Sequence, residues 1–171
     1  MSLYVIQVVG GSENRVCDLV NKLLSNKIKD CFVPCREVFR REDGTWQTVR
    51  ETLFPGYLFV ETDQVQQVME RLKTVPALTR LLGVSDERIT PLSDDEVAWL
   101  SGLMKSDDKV IQTSVGVIEG DSVIVTKGPL VGHEAQIRKV DRHKRLAYLD
   151  MCMFGRTKVI KVGLEIVRKN V

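Results

Sequence analysis

Apolar residues along the first hundred positions alternate between the patterns of strands and helices. Leu3 to Val9 is an almost unbroken apolar run, which predicts a strand buried on both faces. Ser12 then stands where it can cap a helix. Apolar residues follow at the spacing of a helix with one buried face, namely Val16, Leu19, Val20, Leu23 and Leu24.

Three β segments come next. Cys31 to Arg41 and Trp46 to Glu51 are predicted to pair as a hairpin, because Asp43-Gly44 between them accepts positive φ at little cost. Tyr57 to Thr62 is predicted as a further strand. Strand alternation places Tyr57 and Phe59 on the same face of it.

Two more helices and one strand complete this part of the chain. Pro76 is expected to end the first of these helices, and Leu78 to Gly83 is predicted as a strand. Ser93 and Glu96 have the spacing of a capping box at the start of the last helix. The apolar stripes of the two helices are Val65, Val68, Met69 and Leu72, then Val97, Leu100, Leu103 and Met104. The order β-α-β-β-β-α-β-α predicts an α+β fold, a split βαβ arrangement with helices packed on an antiparallel sheet.

The rest of the chain has only short strand patterns. Lys105 to Thr113 is polar and aperiodic, so a linker is predicted at 107–117 between domains of residues 1–106 and 118–171. Five short strands protect their edges best by curling into a small all-β barrel. These are Ser122 to Lys127, His133 to Val140, Leu146 to Met151, Lys158 to Val162 and Leu164 to Arg168.

The net charge of the chain changes sign close to the end of the predicted linker. The 171 residues carry a net charge of +2, which is the sum of −3 over residues 1–118 and +5 over 119–171. This asymmetry indicates two units with different partners, with RNA or an acidic protein surface suited to the basic one. A merely solvated basic face is the alternative. No apolar run is long enough to span a bilayer and the N-terminus lacks the features of a signal peptide, so we expect a cytoplasmic monomer without membrane contact.

The sequence gives no sign of catalysis or of a cofactor. Gly128 to Gly132 lacks the Lys-Ser/Thr that ends a phosphate-binding loop. No nucleophilic residue stands at a readable spacing from either histidine, so no catalytic pair is indicated. Cys17, Cys31, Cys35 and Cys152 do not have the spacing of a structural zinc site. We therefore expect neither an enzyme nor a metal protein.

Two segments are more specific. Leu53 to Glu61, with Phe54, Tyr57 and Phe59, concentrates aromatic residues in a chain that is only 6% aromatic. Its aromatic residues are either core or an exposed docking patch, and composition alone favours core. Gly120 to Gly132 has the pattern turn, strand, turn, as at the opening of a barrel.

These segments together resemble the NusG family. Phe54 to Val60 is similar to the F-P-G-Y-x-x-V signature of its N-terminal (NGN) domain, and Gly120 to Gly132 to the opening of its SH3-like KOW domain. The resemblance implies a transcription elongation factor that binds the clamp helices of the largest RNA polymerase subunit. It implies that Phe54, Tyr57 and Phe59 lie at the apolar patch that faces the polymerase, with a core position as the alternative for Phe54. It further implies that the KOW barrel recruits the ribosome or the termination machinery.

The segment from Arg41 to Trp46, followed by Leu53 to Phe59, is most similar to specialised paralogues of the LoaP antiterminator type. That resemblance implies recognition of a hairpin in leader RNA. The candidate RNA-binding residues form a hairpin group, Arg36, Arg40, Arg41 and Arg50, and a barrel group, Arg138, Lys139, Arg142, His143, Lys144 and Arg145. Housekeeping NusG activity, or an RNA-binding role like that of KOW-containing ribosomal proteins, remains an alternative.

Overall fold

The computed structural model describes residues 1–74, 80–81, 84–85, 88–104, 107–153 and 156–168, with backbone only for the short pieces between 80 and 89. The chain forms two compact units. The first comprises Met1–Pro34 and Phe54–Val97, and the second comprises Cys35–Leu53 and Ala98–Val171. The predicted helix end at Pro76 lies outside the described residues, and so does most of the predicted strand Leu78 to Gly83.

The first unit is built on a four-stranded sheet in the order β2-β5-β1-β6. All its strand pairs are antiparallel. The strands are β1 (Ser2–Gln7), β2 (Asp30–Phe32), β5 (Tyr57–Thr62) and β6 (Arg80–Leu81), and a separate pair is formed by β7 (Val84–Ser85) and β8 (Arg88–Ile89). The helices are α1 (Glu13–Leu23), α2 (Val65–Leu72) and α3 (Asp94–Leu103), whose C-terminal part belongs to the second unit.

Helices α1 and α2 supply the core on one face of this sheet. Val16 and Val20 of α1 and Val68 of α2 are at most 1% exposed and pack with Ile6 and Leu58 of the strands. The helical apolar spacing therefore predicted most buried positions of these helices correctly. Leu23 is the exception, because it was placed on the buried face of α1 but is 48% exposed. The capping box at α3 is also confirmed, because the Ser93 N–H donates to Glu96 Oε2 (2.8 Å) and the Glu96 N–H to Ser93 Oγ (3.2 Å).

The predicted strand Cys31 to Arg41 is in fact two strands. It ends as β2 at Phe32 and resumes as β3 (Cys35–Glu42) in a different sheet. Val33 and Pro34 separate the two, and Pro34 has no N–H with which to continue a ladder. The predicted Ser12 cap is likewise not made: the Ser12 hydroxyl donates back to the Val9 carbonyl, and no side chain caps α1 from this position.

The second unit contains a three-stranded and a five-stranded sheet. Strand β3 pairs with β4 (Thr45–Thr52) as an antiparallel hairpin and with β9 (Val110–Ile111) in parallel. Asp43 (φ 49°) and Gly44 (φ 78°) both have positive φ, which confirms the predicted hairpin turn. The second sheet is curled, in the order β11-β10-β14-β13-β12. Its strands are β10 (Ser114–Glu119), β11 (Ser122–Lys127), β12 (Ile137–Asp141), β13 (Leu146–Met153) and β14 (Arg156–Ile166).

This curled sheet confirms the predicted all-β C-terminal part and, with the first unit, the α+β class. Three details differ. A 3₁₀ turn at Glu134–Gln136 replaces the first half of a predicted strand, and β9 and β10 begin within the predicted linker. The two last predicted strands form the single strand β14. Gly163, which separated the two predicted strands, lies within β14. A glycine is required there because a Cβ would come within 2.7 Å of the Glu37 carbonyl oxygen. Among the described helices, none is long and apolar enough to cross a bilayer.

Candidate functional site

Three phenylalanines cluster on the face of the first sheet opposite its helical core. Phe59 of β5 stacks on Phe32 of β2 with ring centroids 5.8 Å apart, and Phe54 contacts Phe59 at 5.7 Å. Leu58 and Val60, the neighbours of Phe59 in the strand, point to the helical core instead. The aromatic concentration seen in the sequence is therefore a real cluster in the fold.

The structure separates the residues of the expected patch, for one of which, Phe54, a core position had been the alternative. Phe59 is 0% and Phe54 4% exposed, whereas Tyr57, at the start of β5, is half-buried. The expectation of an exposed Phe59 is wrong, because its strand lies in the middle of the sheet, between β1 and β2, and aromatic rings cover its side chain. Only Tyr57 of the three presents substantial surface.

Glu13 fixes the turn that leads into this strand. One carboxylate oxygen accepts the N–H of Gly56 (2.6 Å) and the other accepts the N–H of Gly11 (3.0 Å). Gly56 has φ 85°, and its carbonyl accepts the Val8 N–H at 2.8 Å. Glu13 thus ties the Pro-Gly turn to the start of α1, a role that sequence reasoning missed because Ser12 looked like the cap.

We expect Glu13→Gln to destabilise the first unit by about 1.5–3 kcal/mol, the usual worth of a hydrogen bond to a charged group. An amide has one acceptor oxygen, so one of the two backbone N–H groups loses its partner. Urea unfolding followed by far-ultraviolet circular dichroism gives the free energy, and hydrogen exchange should become faster at the Gly56 amide. Glu70→Gln, an exposed change on α2, is the matched control and should have no effect.

The same contact predicts a pH dependence. Burial acts to raise the pKa of Glu13, but the hydrogen bonds from the backbone of Gly56 and Gly11 outweigh it, so the pKa lies below its ordinary value. A lowered pKa in the folded state means that this stabilisation is complete above the pKa of an unfolded-chain glutamate. It is lost as the pH falls through the lower, folded-state value. Glu13→Gln should be less sensitive to acid than the wild type; equal acid sensitivity would contradict this role.

The arginines of the hairpin group are mostly paired. Glu51 accepts hydrogen bonds from Arg36 Nη2 (3.0 Å) and from Arg40 Nε (2.8 Å). Burial acts to raise the pKa of Glu51, but these two guanidinium groups outweigh it and the pKa lies below its ordinary value. Arg50 lies 2.9 Å from Asp108. Arg41, by contrast, is exposed and makes no ion pair with any residue that the structure describes.

In the barrel group, some basic side chains have partners and others are exposed in a turn. Arg138 on β12 is 3.4 Å from Asp150, and Lys139 lies 5.5 Å from the centroid of the Tyr148 ring. Arg142, His143 and Lys144 form an exposed turn between β12 and β13. The Asp141 carboxylate holds this turn by accepting the Lys144 N–H at 3.0 Å. The turn therefore presents three basic side chains to solvent.

Arg145 links the two basic groups. Its guanidinium lies 4.1 Å from the centroid of the Trp46 ring and 5.5 Å from that of Phe39, both in the hairpin. It also pairs with Glu165 on β14 at 3.4 Å. A stacked and paired guanidinium in a left-handed backbone conformation (φ 54°) is held in place from several sides. Arg145 thus positions the hairpin against the barrel strands.

A groove of about 360 Å³ lies within the second unit where the hairpin meets the barrel strands. It brings together five of the predicted RNA-binding residues, Arg36, Arg40 and Arg41 from the hairpin group and His143 and Lys144 from the barrel group. Arg50, Arg138, Lys139, Arg142 and Arg145 are not part of its lining. The other lining residues are Val38, Phe39, Trp46, Glu51, Leu146, Tyr148 and Lys161.

Two of the lining residues that sequence reasoning missed lie on the barrel strands. Tyr148 on β13 and Lys161 on β14 are directly opposite each other in the ladder, with the ammonium group 5.5 Å from the ring centroid. No turn or charge run marks them. The signal would have been their pairing across adjacent strands, which required the correct register of β13 and β14.

The four cysteines are free thiols, of which Cys17 and Cys31 are buried. The Cys17 Sγ donates to the Cys31 carbonyl at 3.2 Å, and Asn21 donates to the same carbonyl at 2.8 Å. Within the described residues no group of three or more His, Cys, Asp or Glu side chains is arranged to hold a metal. Cys17 and Cys31 pack as core residues of the first unit.

A mixed helix-sheet unit together with a unit that contains a curled β-sheet and a basic groove defines a two-part α+β class of protein. Comparison with known families makes this specific. Residues 1–101 match the family model described as transcription termination factor nusG, and residues 119–150 match the KOW motif. The chain belongs to the NusG family.

Relatives cover nearly the whole chain. A transcription termination/antitermination protein NusG from Thermus thermophilus is 29% identical over 95% of this chain and 94% of its own length. One from Helicobacter pylori J99 is 26% identical over 99% of this chain and 98% of its own. The solved structure entitled "Domain interaction in Thermotoga maritima NusG" aligns with TM-score 0.56 at 23% identity, covering 95% of this chain and 93% of that one. This last likeness concerns the fold alone.

Proposed function

We propose that this protein is a transcription elongation and processive antitermination factor. It binds RNA polymerase at the clamp helices of the largest subunit through its N-terminal domain and suppresses pausing and termination. The observation that carries the proposal is the order of the two matches, a NusG model over residues 1–101 followed by a KOW motif over 119–150. In this proposal Tyr57 makes the polymerase contact, and Phe54 and Phe59 support the surface from beneath.

We also propose that the two parts of the chain act as domains, residues 1–106 for polymerase and 118–171 for a second partner. The ribosome or the termination machinery is that partner in the KOW domain, and the protein works as a cytoplasmic monomer. Specific RNA binding sets the specialised LoaP-type role apart from housekeeping NusG. The groove supports RNA binding, because basic residues distant in sequence meet there beside aromatic rings.

Transcription in vitro tests the proposed activity. A template with the native leader upstream of a terminator should give more full-length transcript when the protein is added, and a template without the leader should respond much less. Equal read-through on both templates would favour the housekeeping role. No effect on either template, together with no binding to polymerase, would favour an RNA-binding role of the ribosomal type.

Binding of the native leader hairpin should weaken as salt is added. Phosphate contacts release counterions, so the logarithm of the affinity should fall linearly with the logarithm of the salt concentration. Fluorescence anisotropy with labelled hairpin measures this, with a scrambled hairpin of the same length as control. Equal affinity for both RNAs would leave only unspecific charge attraction and would count against a leader-specific factor.

A further inference from the structure

The groove of the second unit combines positive charge with aromatic surface. Its volume of about 360 Å³ is near the lower end of small-ligand sites, which measure roughly 300–1,000 Å³. Three aromatic residues are among those that line it, Phe39, Trp46 and Tyr148, and we call them the aromatic wall. One carboxylate, Glu51, faces five cationic side chains, those of Arg36, Arg40, Arg41, Lys144 and Lys161.

The cations fall into two sets according to their contacts. Arg36 and Arg40 are engaged by Glu51, and Arg36 Nη1 also donates to the Lys161 carbonyl at 2.9 Å. Arg41, Lys144 and Lys161 are exposed, and within the described parts of the chain none of them pairs with a carboxylate. The Lys161 ammonium group lies 5.5 Å from the centroid of the Tyr148 ring, but no described carboxylate competes for any of the three cations, so each can bind an anion.

The groove is formed before any ligand arrives. Arg145 stacks on Trp46 from one side, and Arg36 bonds the backbone of β14 from the other. The missing side chain at Gly163 lets β14 approach the Glu37 carbonyl closely. A ligand would thus meet fixed walls and would lose less affinity to ordering of the site.

We propose that this groove binds one unpaired nucleotide of an RNA loop, an inference that rests on the proposed RNA-binding function. Arg41, Lys144 and Lys161 hold its phosphate, and the base packs against the aromatic wall of Trp46 and Tyr148. Bases in a paired A-form stem are stacked on each other, so only a splayed base reaches such a wall. An acidic peptide would satisfy the cations but leave the aromatic faces unused.

Trp46 allows the groove to be observed directly. The chain has two tryptophans, so Trp99→Phe leaves Trp46 as the only one. Three probes are titrated into this reporter protein: the native leader hairpin, the same hairpin with abasic loop positions, and its blunt duplex stem. We expect the intact hairpin to change Trp46 fluorescence. The abasic hairpin and the stem should bind about tenfold more weakly or worse, the scale of one lost base stack.

Two double variants localise the effect. Lys144→Gln with Lys161→Gln removes two groove cations and should weaken hairpin binding at least about tenfold, as for two lost phosphate contacts. Lys127→Gln with Arg168→Gln removes the same charge from exposed positions outside the groove and should change affinity far less. Circular dichroism checks that both double variants fold.

The outcomes separate this inference from the function on which it rests. Specific hairpin binding that is unaffected by the groove variants, with silent Trp46, would overturn the groove inference and leave RNA binding standing. Equal loss for intact and abasic hairpins in the groove variants would reduce the groove to a phosphate site and refute the base contact. Failure to distinguish the native from a scrambled hairpin would refute both.

Discussion

Replacing Gly128 by alanine should destabilise the second unit by roughly 3 kcal/mol or more. Gly128 has φ 99°, and a Cβ there would meet Ser114 Cα and the Thr113 carbonyl oxygen, both at 2.7 Å. Left-handed backbone costs an L-residue about 1–2 kcal/mol, and overpacking adds about 1–3 kcal/mol. The Ser114 Oγ would lie still nearer, at 2.6 Å, and although that side chain could rotate, the two backbone atoms cannot move aside in the same way.

Tryptophan fluorescence measures this in the full chain, because Trp46 and Trp99 both lie in the second unit. Urea titration should show an earlier transition for Gly128→Ala. Gly132→Ala is the matched control, since Gly132 has φ 82° but open space around its Cβ position. Gly132→Ala should be destabilised only by the backbone strain of about 1–2 kcal/mol, without the overpacking. If the two variants were equally stable, the close approach at Gly128 would not matter.

Local patterns in the sequence predicted most of the elements. Apolar spacing identified most buried positions of α1 and α2, and short-range chemistry identified the hairpin turn at Asp43-Gly44 and the capping box at Ser93. These features are decided within a few residues of chain, so they can be predicted from it. The predicted strand boundary at Gly163 was wrong. The glycine is needed for a close approach to the Glu37 carbonyl, more than a hundred positions away, which local patterns do not reveal.

The site could be predicted only in part, for the same reason. Charge runs indicated both basic groups, but their meeting in one groove depends on how the β3–β4 hairpin packs on β14. Strand alternation correctly set Phe59 apart from Leu58 but could not tell whether that face was covered. Strand alternation predicts the face to which a side chain points. Whether that face is buried depends on residues distant in sequence, such as Phe32, which stacks on Phe59.

The polymerase contact gives the sharpest test of the first unit, because Tyr57 and Phe59 should respond differently. Phe59→Ala removes a fully buried ring and should cost about 3–5 kcal/mol of stability. Tyr57→Ala changes a half-buried side chain, so the unit should stay folded. If Tyr57 is a contact hot spot, its loss should weaken binding to RNA polymerase by about 2 kcal/mol or more.

Binding of purified RNA polymerase to each variant, measured beside circular dichroism of the same sample, separates the two effects. Leu23→Ala is the control for loss of exposed apolar surface, since Leu23 is 48% exposed on α1. It should bind polymerase like the wild type. Folded Tyr57→Ala that also binds like the wild type would exclude Tyr57 from the contact. With Phe54 and Phe59 buried, the polymerase surface would then have to be sought outside this strand.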